Sequence, residues 1–426
     1  MQERLRRAPA LGRAALPRPL SRLIAPLTMA LPVTIFGVAA LSFPLTLARL
    51  LGVPGGATAS WIATLYGVPG VLSLALTWWY RQPLLVAWST LGTVAAATFV
   101  GQASYPELRG ASMVAGALVF LLGAVGLSER VARWVPPPIV MAMVAGAVLP
   151  YVAGMFSTAG AAPLVVGGAF LAYILGRRFL PSRIPPVLPG VVVGLGAAAF
   201  TGILDPRGFR FAAPALQGSA PGFAWTAIVS FAPVLAVLMS TSANLASVVY
   251  IRSQRYPAAL RAIDIATGAA TMAGSFFGFT PICMASFLAA PTAGPDAGDH
   301  DVRHWSVYFS SIGFFAIAAL AGLAADLLRI VPLSVLLALA GLALISVLGA
   351  TLQEAVRGPL VFGPLMTFAV AVSHLSYLGF GPLLWSLVIG TATSAVLERE
   401  QFAAVRAAAG AAAAGIAQGG ARGTAP

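Results

Sequence analysis

Residues 82–92 read Gln-Pro-Leu-Leu-Val-Ala-Trp-Ser-Thr-Leu-Gly, within an otherwise strongly apolar chain. A proline near the start, a run of β-favouring residues and then Ser-Thr predict an extended stretch that is capped into a half-helix. A similar run, Pro-Ile-Cys-Met-Ala-Ser, lies at residues 281–286 and follows a glycine-broken stretch. Pro83 and Pro281 align at an offset of 198 residues. The sequence therefore predicts two interrupted segments at matching positions.

Interrupted segments in corresponding positions of two halves are the best sequence indication of a transport site. Irregular backbone at membrane depth must be buried in protein or line a wet cavity. The ordinary alternative is that proline and glycine merely kink two membrane helices. Because the breaks occur in both halves, we expect a site between them.

The rest of the chain also indicates a duplication, because residues 126–199 recur without a gap 196 positions later. The informative matches are prolines and glycines, since each fixes a backbone event; they include Pro163 with Pro359, Gly167 with Gly363, and Gly194 with Gly390. Two copies of one unit in a membrane protein indicate a transporter.

The composition is that of an integral membrane protein. The chain has 426 residues, of which 59% are hydrophobic and 9% charged, and its mean hydropathy is +0.91. A soluble domain is usually about 25% charged. The single cysteine, Cys283, excludes an internal disulfide. The net charge of +13 is better explained by membrane topology than by a nucleic-acid partner.

Apolar runs separated by Gly, Pro or Arg predict an all-α polytopic protein of about fourteen membrane segments. The predicted segments are 23–42, 60–79, 83–101, 109–127, 135–154, 161–180, 186–203, 224–243, 259–275, 280–292, 305–327, 331–350, 358–376 and 379–397. Seven segments per half is an odd number, so the two halves are predicted to be inverted relative to each other. The extended stretches fall in segments 3 and 10.

The arginines predict the orientation. There is no lysine, and with the N-terminus inside only five of the 25 basic residues face outward. These five are Arg49, Arg109, Arg207, Arg210 and Arg329. The remaining twenty lie on the same side of the membrane as the N-terminus. Cytoplasmic loops collect positive charge, so this is the cytoplasmic side. We therefore expect a multi-pass protein of the inner (plasma) membrane with both termini in the cytoplasm.

This pattern predicts three regions. Residues 1–22 form an Arg-rich cytoplasmic N-terminus, residues 23–397 a transporter domain, and residues 398–426 a flexible cytoplasmic tail rich in Ala, Gly and Arg. Within the transporter domain, the first repeat covers about residues 23–203 and the second about residues 224–397.

Several short runs resemble the benzoate/proton symporter family. They are Ser60-Trp61, residues 80–83 (Tyr-Arg-Gln-Pro), residues 87–90 (Ala-Trp-Ser-Thr), residues 184–188, residues 293–297 with 303–305, residues 340–344 and residues 384–390. The resemblance implies a seven-plus-seven inverted-repeat fold, in which a core domain (segments 1–4 and 8–11) moves against a gate domain (segments 5–7 and 12–14). It also implies that substrate binds between segments 3 and 10, and that the activity is import of benzoate or a related aromatic acid with protons.

The sequence departs from the family pattern near that expected site. Leu91 stands where the family has Pro, and Ala243 where it has Gln, although Asn244 is retained. Cys283 replaces an Asn and Leu288 replaces a Thr. These changes keep open a second reading, a carrier or exchanger for another small organic or inorganic anion.

The predicted substrate site combines a positive end with an apolar slot. Helix N-termini near Ser89-Thr90 and Ser286 would bind a carboxylate through backbone N–H groups and the helix dipole. Their hydroxyls are further donors, although they can also be simple caps. Trp88 is the candidate for the ring slot, and Gly92, Asn244 and Cys283 complete the candidate substrate-binding residues.

Proton coupling points to Asp264, since it is the one acid among twelve that falls within a predicted segment. An acid inside a membrane segment is by default a functional candidate. The ordinary alternative is an interfacial salt bridge with Arg261 on the same helix face. Two further options are a proton carried by the substrate's own carboxyl group and passive or exchange-driven transport.

Other functional classes find little support in the residues. No Ser-His-Asp set or carboxylate pair lies at membrane depth, so we expect no enzyme. A passive channel would show a continuous polar face. The run from Asp299 to His304 fits no metal-ligand spacing and reads as a solvated loop. The expected partners are a small anion, H⁺ and the lipid bilayer, with no metal, no cofactor and no nucleic acid; a homodimer is left open.

Overall fold

A computed structural model describes residues 21–128, 130, 136–160, 162–181, 184–204, 214–373 and 375–408. In the first half, the helices are α1 (Ile24–Ala40), α2 (Ser42–Leu50), α3 (Gly55–Tyr80), α4 (Thr90–Ala97), α5 (Tyr105–Val125), α6 (Pro137–Ser157), α7 (Pro163–Phe179) and α8 (Val187–Phe200). In the second, they are α9 (Trp225–Ser253), α10 (Leu260–Gly274), α11 (Ala289–Ala293), α12 (Trp305–Ala319), α13 (Ala321–Ile330), α14 (Leu333–Ala355), α15 (Phe362–Val372) and α16 (Pro382–Leu397). The strands β1 (Val86–Trp88) and β2 (Ile282–Met284) interrupt the two sets.

Every predicted membrane segment overlaps a helix or one of the strand-interrupted stretches. Within the described residues, six helices are long and apolar enough to cross a bilayer: the continuous span Ile24–Leu50, α3, α5, α6, α9 and α14. The pair α12 and α13 is a seventh candidate, bent by 51°. The sequence predicted one segment, 305–327, at this position. The shorter apolar helices α8, α15 and α16 complete the outline.

Helix α9 runs past the predicted end of segment 8 at residue 243. Its middle, Leu238–Leu245, is a π-helix. Ser240 and Asn244 in this turn are fully buried, and the helix continues to Ser253. Thr241 instead donates to the carbonyl of Val237 on its own helix at 2.7 Å, the alternative expected for a membrane hydroxyl.

The two interrupted segments meet as an antiparallel pair of strands. Val86 faces Met284, Ala87 faces Cys283 and Trp88 faces Ile282. Val86 and Met284 are 198 residues apart, the offset that aligns the two interrupted stretches. Facing residues of an antiparallel pair are related by a local two-fold axis. Matching strands therefore run in opposite directions at this point.

One hydroxyl on the preceding helix anchors each strand, and the two hydroxyls occupy matching positions. Ser73 on α3 accepts a hydrogen bond from the Val86 N–H at 2.8 Å, and its hydroxyl donates to the Val86 carbonyl at 3.1 Å. Thr271 on α10 accepts from the Ile282 N–H at 2.9 Å and lies 3.4 Å from the Ile282 carbonyl. Because irregular backbone in an apolar interior needs partners for its polar groups, these hydroxyls allow both strands to be buried.

Helix packing falls into two groups. The pair α6 and α14 has the most extensive contact, and α15 and α16 pack against each other and against α6. In the other group, α5 packs on α10, and α3 and α1 pack on α12. Links between the groups include α2 on α14 and α4 on α6.

Two charged side chains bind the backbone at helix ends. Arg109 on α5 is buried and donates to the carbonyls of Ser275 and Phe276 at 2.9 and 2.6 Å, which closes the end of α10. Glu398 accepts from the N–H groups of Val361, Phe362 and Gly363 and so caps the start of α15. Residues 399–408, in the region that the sequence predicts as a tail, are helical, and Phe402 is buried. Residues 1–20 and 409–426 lie outside the described residues.

The predicted solvated loop holds the start of α1. Asp301 and Asp299 pair with Arg22 at 2.8 and 3.2 Å, and these charges raise the pKa of the Arg22 guanidinium. The His300 ring stacks on Tyr256 with 4.0 Å between centroids. Among the described residues, no group of three or more His, Cys, Asp or Glu side chains could hold a metal ion.

Candidate substrate site at the strand crossing

The start of α4 is a capped, buried helix N-terminus. Ser89 is extended, and its side chain accepts the Gly92 N–H at 3.0 Å. Its carbonyl accepts the first intrahelical bond, from the Thr93 N–H at 2.9 Å. The N–H groups of Thr90 and Leu91 precede that bond and are the remaining donors at the positive end of the helix. Ser89 and Thr90 are each 5% exposed, so this end lies in an apolar interior.

The matching start after β2 opens only a short helical segment. Ser286 opens a single 3₁₀ turn, Ser286–Leu288, which is followed by the five-residue helix α11. The residue before the turn is Ala285, so Ser286 is the first residue of the turn rather than its cap. Gly294 and Pro295 end α11 early, because proline cannot continue a helix and restricts the residue before it. The second half-helix is therefore the weaker dipole.

The hydrogen bonds around the strands fix both starts. The Ser89 N–H donates to the Pro281 carbonyl at 2.7 Å, and the Ala285 N–H donates to the Leu85 carbonyl at 3.0 Å. Each helix start therefore lies beside the first residues of the other strand, at opposite ends of the ladder. A movement of one strand would shift both starts together.

Trp88 forms the apolar wall next to the start of α4. It is 5% exposed, and its ring lies edge-on to Phe43 and Tyr66, with centroids 6.5 and 6.3 Å away. Of the other aromatic candidates near the second break, Phe279 is fully buried, whereas Phe287 is half exposed. Trp88 is thus the aromatic residue that the fold places in the strand pair itself.

Two small residues allow close approach at the crossing. A Cβ atom on Gly92 would lie 2.5 Å from Cδ1 of Leu235, so α4 and α9 touch at this point. Cys283 is 3% exposed and faces Ala87 across the ladder. A larger residue at either position would push the two strands or the two helices apart.

Asn244 connects three elements at the same place. Its amide nitrogen donates to Asp264 Oδ1 at 2.7 Å and to the Thr267 hydroxyl at 3.0 Å. Its amide oxygen accepts the Met284 N–H at 2.7 Å. All the residues in this network are almost fully buried. The π-helical turn of α9 thus links α10 to β2, and Asn244 is the side chain that does so.

Asp264 is enclosed by protein. It is fully buried on α10, near the start of that helix at Leu260, where the sequence placed it. The guanidinium of Arg261 donates to the carbonyls of Gly123 and Ala124 at 3.2 and 2.7 Å. The Asp264 carboxylate therefore belongs to the Asn244 network.

Sequence reasoning missed three polar residues of this region. Thr267 completes the Asn244 network, and Ser73 and Thr271 anchor the strands. Thr267 could have been found from its spacing, because residues i and i+3 share a helix face and Asp264 lies three positions earlier. Ser73 and Thr271 are themselves 198 residues apart, the offset of the strand repeat.

Comparison with known sequences gives the family. Residues 29–396 match the family described as benzoate membrane transport protein. The chain belongs to this family. It is 27% identical over 333 residues to the benzoate membrane transport protein of Acinetobacter baylyi, covering 78% of this chain and 84% of that protein. It is also 27% identical over 350 residues to the inner membrane protein YdcO of Escherichia coli, covering 81% and 89% of the two chains.

Two solved structures, those of a bicarbonate transporter and of SLC26A9, share the fold of this chain. The transmembrane domain of the cyanobacterial bicarbonate transporter BicA aligns with a TM-score of 0.53 at 17% identity, covering 87% of this chain and 97% of that one. The SLC26A9 structure aligns with a TM-score of 0.58 at 14% identity, covering 89% and 66%. The family member described here is therefore a multi-pass membrane transporter with the fold of these proteins.

Proposed function

We propose that this protein is a secondary transporter that imports benzoate or a related small aromatic carboxylate with protons across the bacterial inner membrane. The observation that carries the proposal is the buried, capped start of α4 beside Trp88. Its N–H groups and dipole favour a carboxylate, and the indole ring offers an apolar wall for an aromatic ring. The curated relative named as a benzoate transporter supports the same substrate class.

Alternating access would use the two groups of helices. We assign the core to α1–α5 and α9–α13 with both strands, and the gate to α6–α8 and α14–α16, in fourteen segments with both termini in the cytoplasm. The packing of α6 with α14, α15 and α16, and of α5 with α10, supports this division. The opposite directions of β1 and β2 support two inverted halves. The site lies where α4 of the core contacts α6 of the gate.

Asp264 is the proposed proton carrier. When it is ionised, Asn244 donates to it and holds the Met284 N–H of β2 through the other end of the same amide. Protonation weakens the charge-assisted bond between Asp264 and Asn244. The strand held by Asn244 then has more freedom to move. This chain of contacts connects proton uptake to the position of the strand pair at the site.

The test is uptake of radiolabelled benzoate into proteoliposomes, with protein-free liposomes as the correction for diffusion of neutral benzoic acid. An inward proton gradient should raise both the initial rate and the accumulation, and an uncoupler should abolish that gain. Absence of protein-dependent uptake would refute the aromatic substrate. Uptake at the same rate with and without the gradient would refute proton coupling, but it would not refute the proposed substrate.

Two variants separate binding from coupling. Asp264→Asn should lose the acceleration by the proton gradient but retain exchange of labelled for unlabelled benzoate. Thr90→Val should lower both gradient-driven uptake and benzoate exchange, because it changes the start of α4. Glu354→Gln, an exposed carboxylate paired with Arg357, is the matched control and should behave like the wild type. A gradient response in Asp264→Asn equal to that of the control would remove Asp264 from the mechanism.

A second candidate function is transport of another small anion. The departures at Ala243, Cys283 and Leu288 favour it, because each replaces a polar side chain of the family near the site. A ligand that binds the folded state raises the melting temperature, and the rise grows with the logarithm of the ligand concentration relative to its dissociation constant. Melting the purified protein with benzoate, hydroxybenzoates, uracil, sulfate, bicarbonate and short carboxylic acids distinguishes the two readings.

A further inference from the structure

Two arginines converge on a pocket away from the strand crossing. The pocket lies between the end of α2, the turn that leads into α3, and the end of α13. Its volume is about 330 Å³, which is within the lower range of small-molecule sites. Arg49 and Arg329 both line it, and none of the described residues that line it is acidic.

The backbone around the pocket positions both guanidinium groups. Arg49 Nη1 donates to the carbonyl of Leu328, the residue before Arg329. A Cβ atom on Gly55 would lie 3.4 Å from Arg329 Nη2, so that guanidinium rests against the first turn of α3. A planar guanidinium has five donors and pairs with a carboxylate through two parallel hydrogen bonds. The remaining donors of two such groups suit one carboxylate.

The position of these arginines needs a reason other than topology. In the proposed orientation both lie on the outer side, where basic residues are scarce and where the rule for cytoplasmic loops does not place them. Arg109, another of the outer arginines, is buried and donates to the carbonyls at the end of α10. Arg49 and Arg329 are instead exposed at the pocket.

The pocket also adjoins the proposed boundary between core and gate. Helix α2 carries Arg49 and packs along α14, where the Thr46 hydroxyl lies 3.5 Å from the Leu336 carbonyl. Arg329 is two residues before Val331, and α14 begins at Leu333. An anion held here would lie next to the seam along which the two groups would separate.

We propose that Arg49 and Arg329 form an outer capture site for the carboxylate group of the aromatic substrate. The pocket collects the anion from outside before the strand-crossing site opens, and so raises the local substrate concentration. Clefts of one charge sign raise association rates in a way that falls steeply with ionic strength. This inference rests on the proposed function, because it takes the same substrate.

The experiment compares Arg329→Gln, Arg49→Gln and the double variant with the wild type in right-side-out vesicles. Benzoate uptake is measured as KM and Vmax at low and at high ionic strength. We expect KM to rise about three- to tenfold at low ionic strength, a range that corresponds to loss of one charge contact, while Vmax changes little. At high ionic strength the variants should converge with the wild type. Arg357→Gln, which removes an exposed arginine outside the pocket, is the matched control.

Arg49 also supports the Leu328 carbonyl, so Arg49→Gln can lower stability, and Arg329→Gln then carries the test. Arg329→Lys keeps the charge but loses the planar pair of donors, so its KM at low ionic strength should lie between those of the wild type and Arg329→Gln. An unchanged KM in Arg329→Gln at low ionic strength, or an equal rise in Arg357→Gln, would overturn the capture site. An effect confined to substrate supplied from the inner face would overturn it as well. Failure of the wild type itself to take up benzoate would instead refute the proposed function.

Discussion

Asn244→Leu tests the network at the strand crossing. Leucine has nearly the shape of asparagine, but it removes all three hydrogen bonds of the amide, to Asp264, Thr267 and Met284. The Met284 N–H and one oxygen of the Asp264 carboxylate then lose this partner in a fully buried place. The substitution therefore removes hydrogen bonds from buried polar groups while it changes the packing little.

The magnitude follows from those two groups. Leaving a buried donor or acceptor without its partner costs about 1–3 kcal/mol, whereas hydrogen bonds between membrane helices average only about 0.6 kcal/mol in one measured system. Because Met284 is in a strand and Asp264 carries charge, we expect the free energy of unfolding to fall by about 2–4 kcal/mol in total. That is a substantial part of the 5–15 kcal/mol typical of folded proteins.

Thermal unfolding in detergent, followed with and without benzoate, measures the effect. Thr241→Val is the matched control, since Thr241 lies on the same π-helical segment and donates to its own helix. We expect a clear fall in melting temperature and lost uptake for Asn244→Leu, and near wild-type behaviour for Thr241→Val. Equal stability of the two variants would refute the conclusion that Asn244 holds β2 to α10.

Two further predictions concern single positions. Gly92→Ala should lower uptake and destabilise the protein by about 1–3 kcal/mol through overpacking, because its Cβ would meet Leu235 at 2.5 Å. The control for melting and uptake is Gly196→Ala on α8, where a Cβ meets nothing within 4 Å. Equal melting temperatures and uptake rates of the two variants would contradict the prediction. Burial pushes the pKa of Glu398 upward, but the hydrogen bonds from the N–H groups at the start of α15 outweigh it, so the folded pKa lies below the ordinary 4.5. The stability from this carboxylate is then complete above pH 4.5 and lost as the pH falls through the folded pKa. Glu398→Gln should melt lower at pH 7 and lose less stability on acidification than the wild type, and a parallel pH profile would argue against the cap.

The interrupted segments were predictable from local chemistry. Pro83, the β-favouring run and Ser89 indicated an extended stretch followed by a capped half-helix, and the structure confirms this with β1, the Ser89 cap and α4. The partner stretch was predicted by its offset rather than by its own caps. Its half-helix is short, because Gly294 and Pro295 end it after one 3₁₀ turn and five residues, close to the predicted end of the segment at residue 292.

The polar network was harder to predict because it depends on distant contacts. Asn244 and Asp264 could be singled out one by one, as a buried amide and an acid in an apolar segment. Their hydrogen bond joins a π-helical turn to the next helix, and nothing in the local sequence gives that geometry. The predicted end of segment 8, residue 243, also falls within α9, which continues as a helix to Ser253.

The capping role of Glu398 illustrates the same difficulty at a chain end. A glutamate after the final apolar run reads as the start of a solvated tail. In the structure its carboxylate binds the first N–H groups of α15, 35 to 37 residues earlier in the chain. Only the packing of α16 on α15 brings the two together.

The most direct measurement of the central claim is an experimental structure with benzoate bound. It should show a carboxylate oxygen within about 2.7–3.2 Å of the Thr90 or Leu91 N–H groups and the ring against Trp88. Benzoate density away from the start of α4, with that end unchanged between free and bound protein, would contradict it.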